Sequence, residues 1–394
     1  MNSLKLNYLK QTELFSNNLL NWYENNARIL PWRKNTDPYT VWVSEIMLQQ
    51  TQVKTVNFYF IRFMQAFPKI EDFANSSEDN YLKLWEGLGY YSRVRNMHKT
   101  AKIIVDQFAG KFPNNYDDLL KLPGIGPYTA AAIASICFNQ ALPAIDGNLM
   151  RIFSRLNCYP QDIKLNKTKQ EAFQFFEKLI DVNKPGEFNQ ALMDLGSSIC
   201  LAKTEPLCKT CPIQNFCLAY QDDVINLFPK RSSIKKRKIE KRTIFLIHHD
   251  HKILLGKRPH YGLLANLYEF PNIKGHLSQG QTIKIIRKTG FNPIRIKELE
   301  PSKHIFSHLE WQMIAYEIWT DEFSNSNVKN ILEDNSRDFS GQDKKTKKAS
   351  SFNLNERDDA YLTLNQDCFL SCLEDIKNKW SIPSAFNFYK EYLL

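Results

Sequence analysis

A lone carboxyl, Glu45, lies inside the apolar stretch Val41-Trp42-Val43-Ser44-Glu45-Ile46-Met47-Leu48. Burial there would disfavour the anion and raise the pKa, which suits a general acid working near neutral pH. At a helix start, by contrast, the dipole would favour the ionised form. A second carboxyl, Asp146, stands in Ala144-Ile145-Asp146-Gly147-Asn148, a context that also fits an ordinary turn or N-cap. Between them runs Leu122-Pro123-Gly124-Ile125-Gly126-Pro127-Tyr128-Thr129-Ala130. Gly124 and Gly126 let the backbone turn and let amides approach an anion, and Pro127 and Thr129 open a helix whose positive end can hold a phosphate. This is either a plain helix–helix connection or a helix-hairpin-helix that grips a nucleic-acid backbone without reading its sequence. The fourth cluster is Cys200-x7-Cys208-x2-Cys211-x5-Cys217. Four thiols so close, in a chain lacking an apolar signal core at its start, point to a metal site rather than disulfides. With only one Cys-x-x-Cys pair, the loop suits a [4Fe–4S] cluster better than a zinc ribbon, and unrelated buried thiols are the remaining alternative.

The elements that must carry these groups differ between the two halves. Apolar residues recur at helical spacing before residue 230, as in Val53-Val56-Phe60-Phe63-Met64 and Ala172-Phe175-Phe176-Leu179. Short strand-like runs follow, at Thr243–Ile247, Lys252–Leu255 and Trp311–Trp319. The polar run Gln49-Gln50-Thr51-Gln52 reads as an exposed helix face, and Ile382-Pro383-Ser384-Ala385-Phe386 as the start of a last helix. The fold class is therefore multidomain: an all-α domain over 1–228, a basic linker over 229–242, and an α+β domain over 243–394. Within the last, 324–358 is too polar to bury a core and is expected to be disordered.

The chain has 394 residues and a formal charge of +10. Residues 230–242 alone hold eight basic side chains and one acidic, which makes the linker either a solvated tether or a strap on phosphates. The absence of an apolar run near 20 residues excludes a membrane span, and the length excludes a small disulfide scaffold.

The hairpin, the following aspartate and the four-cysteine loop together resemble the helix-hairpin-helix DNA glycosylases of the endonuclease III superfamily. Members that also cleave the strand carry a lysine in the hairpin for a Schiff base. Tyr128 stands there instead, and a phenol cannot form that adduct. Leu30-Pro31-Trp32-Arg33, the Glu45 segment with Gln49-Gln50-Thr51-Gln52, and Gly87-Leu88-Gly89-Tyr90-Tyr91-Ser92-Arg93 further resemble the MutY family of adenine DNA glycosylases, over about 14–228 and again over about 240–320. The first cysteine spacing is seven residues where that family has six, so the loop between Cys200 and Cys208 would have to bulge.

The resemblance implies excision of a flipped adenine opposite 8-oxoguanine or guanine in double-stranded DNA. Glu45 would protonate adenine at N7 and Asp146 would stabilise or capture the cationic sugar. Tyr128 would hydrogen-bond near the sugar and Asp146, Asn148 would position Asp146, and Arg33 would lie in the pocket. Gln50 and Tyr90 would wedge into the base stack, and Gly124 and Gly126 would hold the backbone. Cys200, Cys208, Cys211 and Cys217 would ligate a [4Fe–4S] cluster. The second half resembles the Nudix-type module of that family, carried by Tyr261-Gly262-Leu263-Leu264-Ala265-Asn266-Leu267-Tyr268-Glu269-Phe270-Pro271. No Asp or Glu occurs from Asn272 through Gly290, so the carboxylates that would hold Mg²⁺ on a pyrophosphate are missing. Phe306, Ser307 and His308 would instead read 8-oxoguanine. The expected protein is a monomeric, cytoplasmic, DNA-associated enzyme with no membrane partner. The rivals are a glycosylase for another mispaired base such as thymine, and a non-catalytic binder of damaged DNA.

Overall fold

Residues 2–232, 236–323 and 368–394 are described by the structure, a computed structural model. The chain forms two compact units, Met1–Ser76 with Ser92–Ile234, and Ser77–Tyr91 with Lys235–Leu394.

The first unit is helical: α1 (Asn2–Asn26), α2 (Pro38–Leu48), α3 (Val53–Ala66), α4 (Ile70–Ala74), then α6 (Ser92–Phe108), α7 (Tyr116–Leu120), α8 (Pro127–Phe138), α9 (Gly147–Leu156), α10 (Asn166–Glu177), α11 (Pro185–Ser198) and α12 (Leu218–Gln221), with α5 (Glu78–Trp85) assigned to the other unit. Proline opens α2, α8 and α11, where its missing N–H costs nothing and its fixed φ matches the helix. Asp37 caps α2 by accepting from the Thr40 amide at 2.8 Å. At the other end of α2, Arg93 Nη1 donates to the carbonyls of Ile46, Met47 and Gln49 at 2.8, 3.1 and 2.6 Å, satisfying acceptors that the helix leaves open. Both ends of the helix bearing Glu45 are thereby fixed. The core joins Phe15 and Leu19 of α1, Phe153 of α9, Phe176 of α10, and Phe188 and Leu192 of α11. The polar run 49–52 is not a helix face: Gln49 caps α2, Gln50 takes a left-handed φ of 60°, and Gln52 begins α3. The segment is the turn between the two helices.

The second unit is built on a mixed sheet of β1 (Lys238–His249), β2 (Lys252–Lys257), β3 (Tyr268–Glu269), β4 (Asn272–Lys274), β5 (Phe291–Ile305), β6 (Leu309–Phe323) and β7 (Cys368–Ser371). The order is β3-β2-β1-β6-β5, with β4 paired to β1 and β7 to β2. β1 runs parallel to β6 from Lys238 opposite Leu309 to His249 opposite Thr320, and the other pairs are antiparallel. Both faces are covered. Ile244 and Leu246 pack with Trp380 and Tyr389 on one, and Phe245 and Ile247 pack with Ile286 of α13 (Gln279–Lys288) on the other. The chain closes with α14 (Leu373–Asn378) and, after a 3₁₀ turn at Ser384–Phe386, α15 (Asn387–Leu393), as the sequence predicts for that segment.

Two boundaries differ from the sequence reading. Lys238–Arg242, expected in the linker, begin β1, because their backbone pairs with β6, a partner some seventy residues away. Ser77–Tyr91, expected in the first domain, group with the second unit. There Ser381 Oγ donates to the Leu82 carbonyl at 3.0 Å, Lys390 pairs with Glu86 at 2.5 Å, and Asn266 Nδ2 donates to both Glu78 oxygens at 2.9 and 3.0 Å. The expectation for 324–358 lies outside the described residues. No helix among the described residues is long and apolar enough to cross a membrane.

Candidate active site

A cavity of about 570 Å³ in the first unit is lined by Glu45, Tyr128, Asp146 and Asn148, and also by Arg33, Gln50 and Gly126. The sequence scatters these residues over more than a hundred positions. The fold joins them because α2 packs on α8, and α11 packs on both α8 and α9.

Glu45 is the eighth residue of α2, far from the first turn, and is 5% exposed. The reading of a carboxyl favoured by the helix start therefore fails, and the buried one holds. Burial pushes its pKa up to about 7 against the opposing pull of the Tyr128 hydroxyl and the Arg33 charge, with Asp146 adding a smaller upward push. Tyr128 donates its hydroxyl to Glu45 Oε2, and burial beside two carboxyls holds the phenol protonated. The expected partner was Asp146; the structure gives Tyr128 to Glu45 instead, because Tyr128 lies on the first turn of α8, the helix that faces α2.

Asp146 is the N-cap of α9. Its Oδ1 accepts from the amides of Asn148 and Leu149, both at 2.8 Å, and its Oδ2 accepts from Asn148 Nδ2 at 2.8 Å. Its pKa is raised on balance by burial, against the lowering pull of these three N–H groups and the Arg151 charge. Asn148 is fixed in turn, since Arg151 Nη2 donates to its Oδ1 at 3.0 Å and to the Gly196 carbonyl at 2.6 Å. A Cβ on Gly196 would lie 2.5 Å from Asn148 Cβ, so only glycine lets α11 come this close to α9.

Gly124 has a left-handed φ of 79°, which glycine adopts without strain, and an added Cβ would lie 2.7 Å from Asn96 Cβ. Gly126, the N-cap of α8, has an ordinary extended backbone with open space where a Cβ would be, which leaves its amide approachable. Gln50 is exposed, and its backbone is in a region that non-glycine residues seldom occupy.

The remaining expected residues lie elsewhere. Tyr90, 45% exposed with φ 48°, belongs to the second unit. So do Phe306, Ser307 and His308, which form the tip of the β5–β6 hairpin. The Phe306 amide donates to the Leu309 carbonyl at 2.8 Å, Ser307 and His308 are exposed, and Phe306 packs edge-on to Trp311 with centroids 5.0 Å apart. The four cysteines lie between α11 and α12. Cys208 is in a 3₁₀ turn, Cys217 caps α12, and Arg155 Nη1 of α9 lies 3.1 Å from Cys200 Sγ. Among the described residues no three Cys, His, Asp or Glu side chains converge as metal ligands, although Cys211 and Cys217 each feel the charge of the other cysteines.

Sequence reasoning missed the supports. Arg151 joins Asn148 to the Cys200 carbonyl (Nε, 2.8 Å), Asp194 holds Arg28 and Arg33, and Gln190 of the cavity wall accepts from the Tyr23 hydroxyl at 2.5 Å. None of them carried a local signal: Arg151 falls with Asn148 and Arg155 on the polar side of α9, opposite Leu149, Ile152, Phe153 and Leu156.

Residues 43–181 match the HhH-GPD superfamily of base excision DNA repair proteins, and residues 243–345 match the NUDIX domain. The adenine DNA glycosylase of Buchnera aphidicola subsp. Baizongia pistaciae is 38% identical over 302 residues, covering 76% of this chain and 84% of that protein. That of Mus musculus is 34% identical over 366 residues, covering 78% and 71%. That of Buchnera aphidicola subsp. Schizaphis graminum is 38% identical over 317 residues, covering 79% and 89%. With its helical glycosylase unit followed by a Nudix-like unit, the chain belongs to the adenine DNA glycosylase family.

Proposed function

We infer that the chain is a monofunctional DNA glycosylase that hydrolyses the N-glycosyl bond of adenine in base excision repair, acting on adenine opposite 8-oxoguanine or guanine. The family shared with enzymes named for adenine supports the substrate. The observation that carries the chemistry is the pair of carboxyls in one cavity wall. Glu45 has a pKa near 7, and Asp146 is held by three N–H donors. Opposed environments of this kind assign an acid and an anion, as in glycoside hydrolysis.

The target base has to leave the stack to reach such a cavity. Since Tyr128 donates to Glu45 Oε2, Oε1 is left to carry the proton to adenine N7. The electrons of the C1′–N9 bond then leave with a neutral adenine, and water adds at C1′ while its proton passes to the Glu45 carboxylate. Asp146, steadied by Asn148, faces the positive charge that develops at C1′. Tyr128 in place of a lysine leaves no amine for a Schiff base, so the strand stays intact. Gly124 and Gly126 would hold a phosphate at the start of α8, and Gln50 would enter the emptied stack.

Cys200, Cys208, Cys211 and Cys217 fit a [4Fe–4S] cluster by donor chemistry, being four thiols on one loop within electrostatic reach of one another. When bound, the cluster supplies a covalent staple for that loop. The exposed Ser307-His308 hairpin tip, backed by Phe306 on Trp311, has donors and an aromatic face suited to an oxidised purine. Helix α13 carries no carboxylate, so Mg²⁺-dependent pyrophosphate hydrolysis is not expected.

The test is single-turnover base release from duplexes carrying A:8-oxoguanine, A:G, T:G and A:T. Free adenine from the first two is expected. Equal release of thymine from T:G would favour the rival substrate, and no base release would favour the non-catalytic binder.

A further inference from the structure

Beside the cavity lies a charged group that the steps above do not use. Asp194 on α11 is 1% exposed and is gripped by two arginines that themselves line the cavity. Arg33 Nη1 and Nη2 donate to it at 2.7 and 2.9 Å. Arg28 donates through Nε at 2.6 Å and its backbone amide at 3.1 Å, with Nη2 at 2.5 Å. We propose that Asp194 is a positioning residue for base release: its carboxylate pins the Arg33 guanidinium in the cavity wall and offsets the cation that Arg33 presents to Glu45.

The surroundings of Glu45 give this its force. Tyr128 faces it from α8, Asp146 from the segment before α9, and Arg33 from the turn before α2, while Cys137 of α8 also feels its charge. Arg93 of α6 is engaged with the carbonyls at the end of α2. Behind Arg33 stand Tyr23 of α1, whose ring centroid is 5.8 Å from the guanidinium, and Asp194 of α11. Arg33 is thus a cation that favours the Glu45 anion, and with less of its charge offset it would favour that anion more. The bidentate pairing leaves Arg33 fixed in place with much of that charge offset. Burial raises the Asp194 pKa, but the bonds and charges of Arg33 and then Arg28 outweigh it, so the carboxylate is ionised in the same range.

This rests on the reading of Glu45 as the acid, so the experiment has two readouts. The first is the pH profile of single-turnover adenine release by the full chain. The second needs no activity: titration of the Glu45 carboxyl infrared band in DNA-free protein, assigned through Glu45→Gln. Asp194→Asn keeps the shape and removes the charge. Its alkaline limb, and the infrared midpoint, should move about one pH unit or more to the acid side. Release at pH 8 should then fall about tenfold or more relative to the wild type. Adding Arg33→Met removes the unpaired cation and should bring both midpoints back, whatever the plateau rate.

Loss of one buried partner can unfold a protein. Asp194→Glu is therefore the companion variant, and it should keep the limb in place with a lower plateau. An unmoved midpoint in Asp194→Asn, a double variant no nearer wild type, or a shifted limb in Asp194→Glu would each overturn the proposal. If the wild type released no adenine, the reading of the enzyme would fall, and the infrared midpoint would still decide whether Asp194 governs Glu45.

Discussion

Replacing Tyr128 by Phe keeps the ring on α8 and deletes one bond, the hydroxyl that donates to Glu45 Oε2. That bond favours the anion and is the largest influence opposing burial at Glu45. A hydrogen bond to a charged group contributes roughly 1.5–3 kcal/mol, and each pKa unit corresponds to about 1.4 kcal/mol. The acid should therefore hold its proton about one to two pH units further than the wild-type value of about 7. In single-turnover release of adenine from an A:8-oxoguanine duplex, measured from pH 5 to 10, the alkaline limb should move up by that amount. A limb that stayed in place, or moved to lower pH, would refute the claim that Tyr128 sets the protonation of Glu45.

Glu45→Gln should abolish release and yet stabilise the fold. The folded pKa of about 7 lies above the ordinary 4.5, so stability is lost as pH rises between them. That loss reaches about 3 kcal/mol above pH 7 and disappears with the ionisable group; urea unfolding at pH 5 and pH 8 would reveal it as a flattened pH dependence. Gly196→Ala gains about 1 kcal/mol of helix propensity but drives a methyl to 2.5 Å from Asn148 Cβ. Base release should drop at least tenfold, with a melting temperature little changed. Replacing Lys230, Arg231, Lys236 and Arg237 by Gln should reduce the salt slope of DNA binding, by at most about 0.9 for each phosphate no longer neutralised. The excision step itself should be unaffected. Arg242 is left out because it is engaged within the fold, pairing with Glu240 at 2.5 Å and lying over Trp311 at 4.2 Å.

The residues lining the cavity were more legible in the sequence than their supports. Glu45 was legible because a carboxyl amid Val, Trp, Ile and Met has few places to go but the interior, and Asp146 and Tyr128 because each stands in a short local motif. Arg151 and Asp194 were not, since their importance comes from partners 45 and 161–166 residues away, which no local pattern encodes. Lys238–Arg242 read as linker for the same reason: a basic run becomes strand only because β6 supplies a pairing edge. Gln49–Gln52 has helical composition, yet Gln50 turns left-handed where α2 gives way to α3, a backbone choice that composition does not reveal. Helix α5 shows the limit most clearly. Its residues and its C-cap Glu86 continue the helical first half in sequence but find their partners in Asn266, Ser381 and Lys390.

The claim that a buried, protonated Glu45 and an ionised Asp146 together release adenine is tested most directly by product analysis of a single turnover. An A:8-oxoguanine duplex is mixed with excess protein at pH 7, and free base and strand breaks are measured before any alkaline treatment. Free adenine with an intact strand is expected from the wild type, and none from Glu45→Gln or Asp146→Asn. Undiminished adenine from Glu45→Gln, or a strand cut in step with base release, would contradict it.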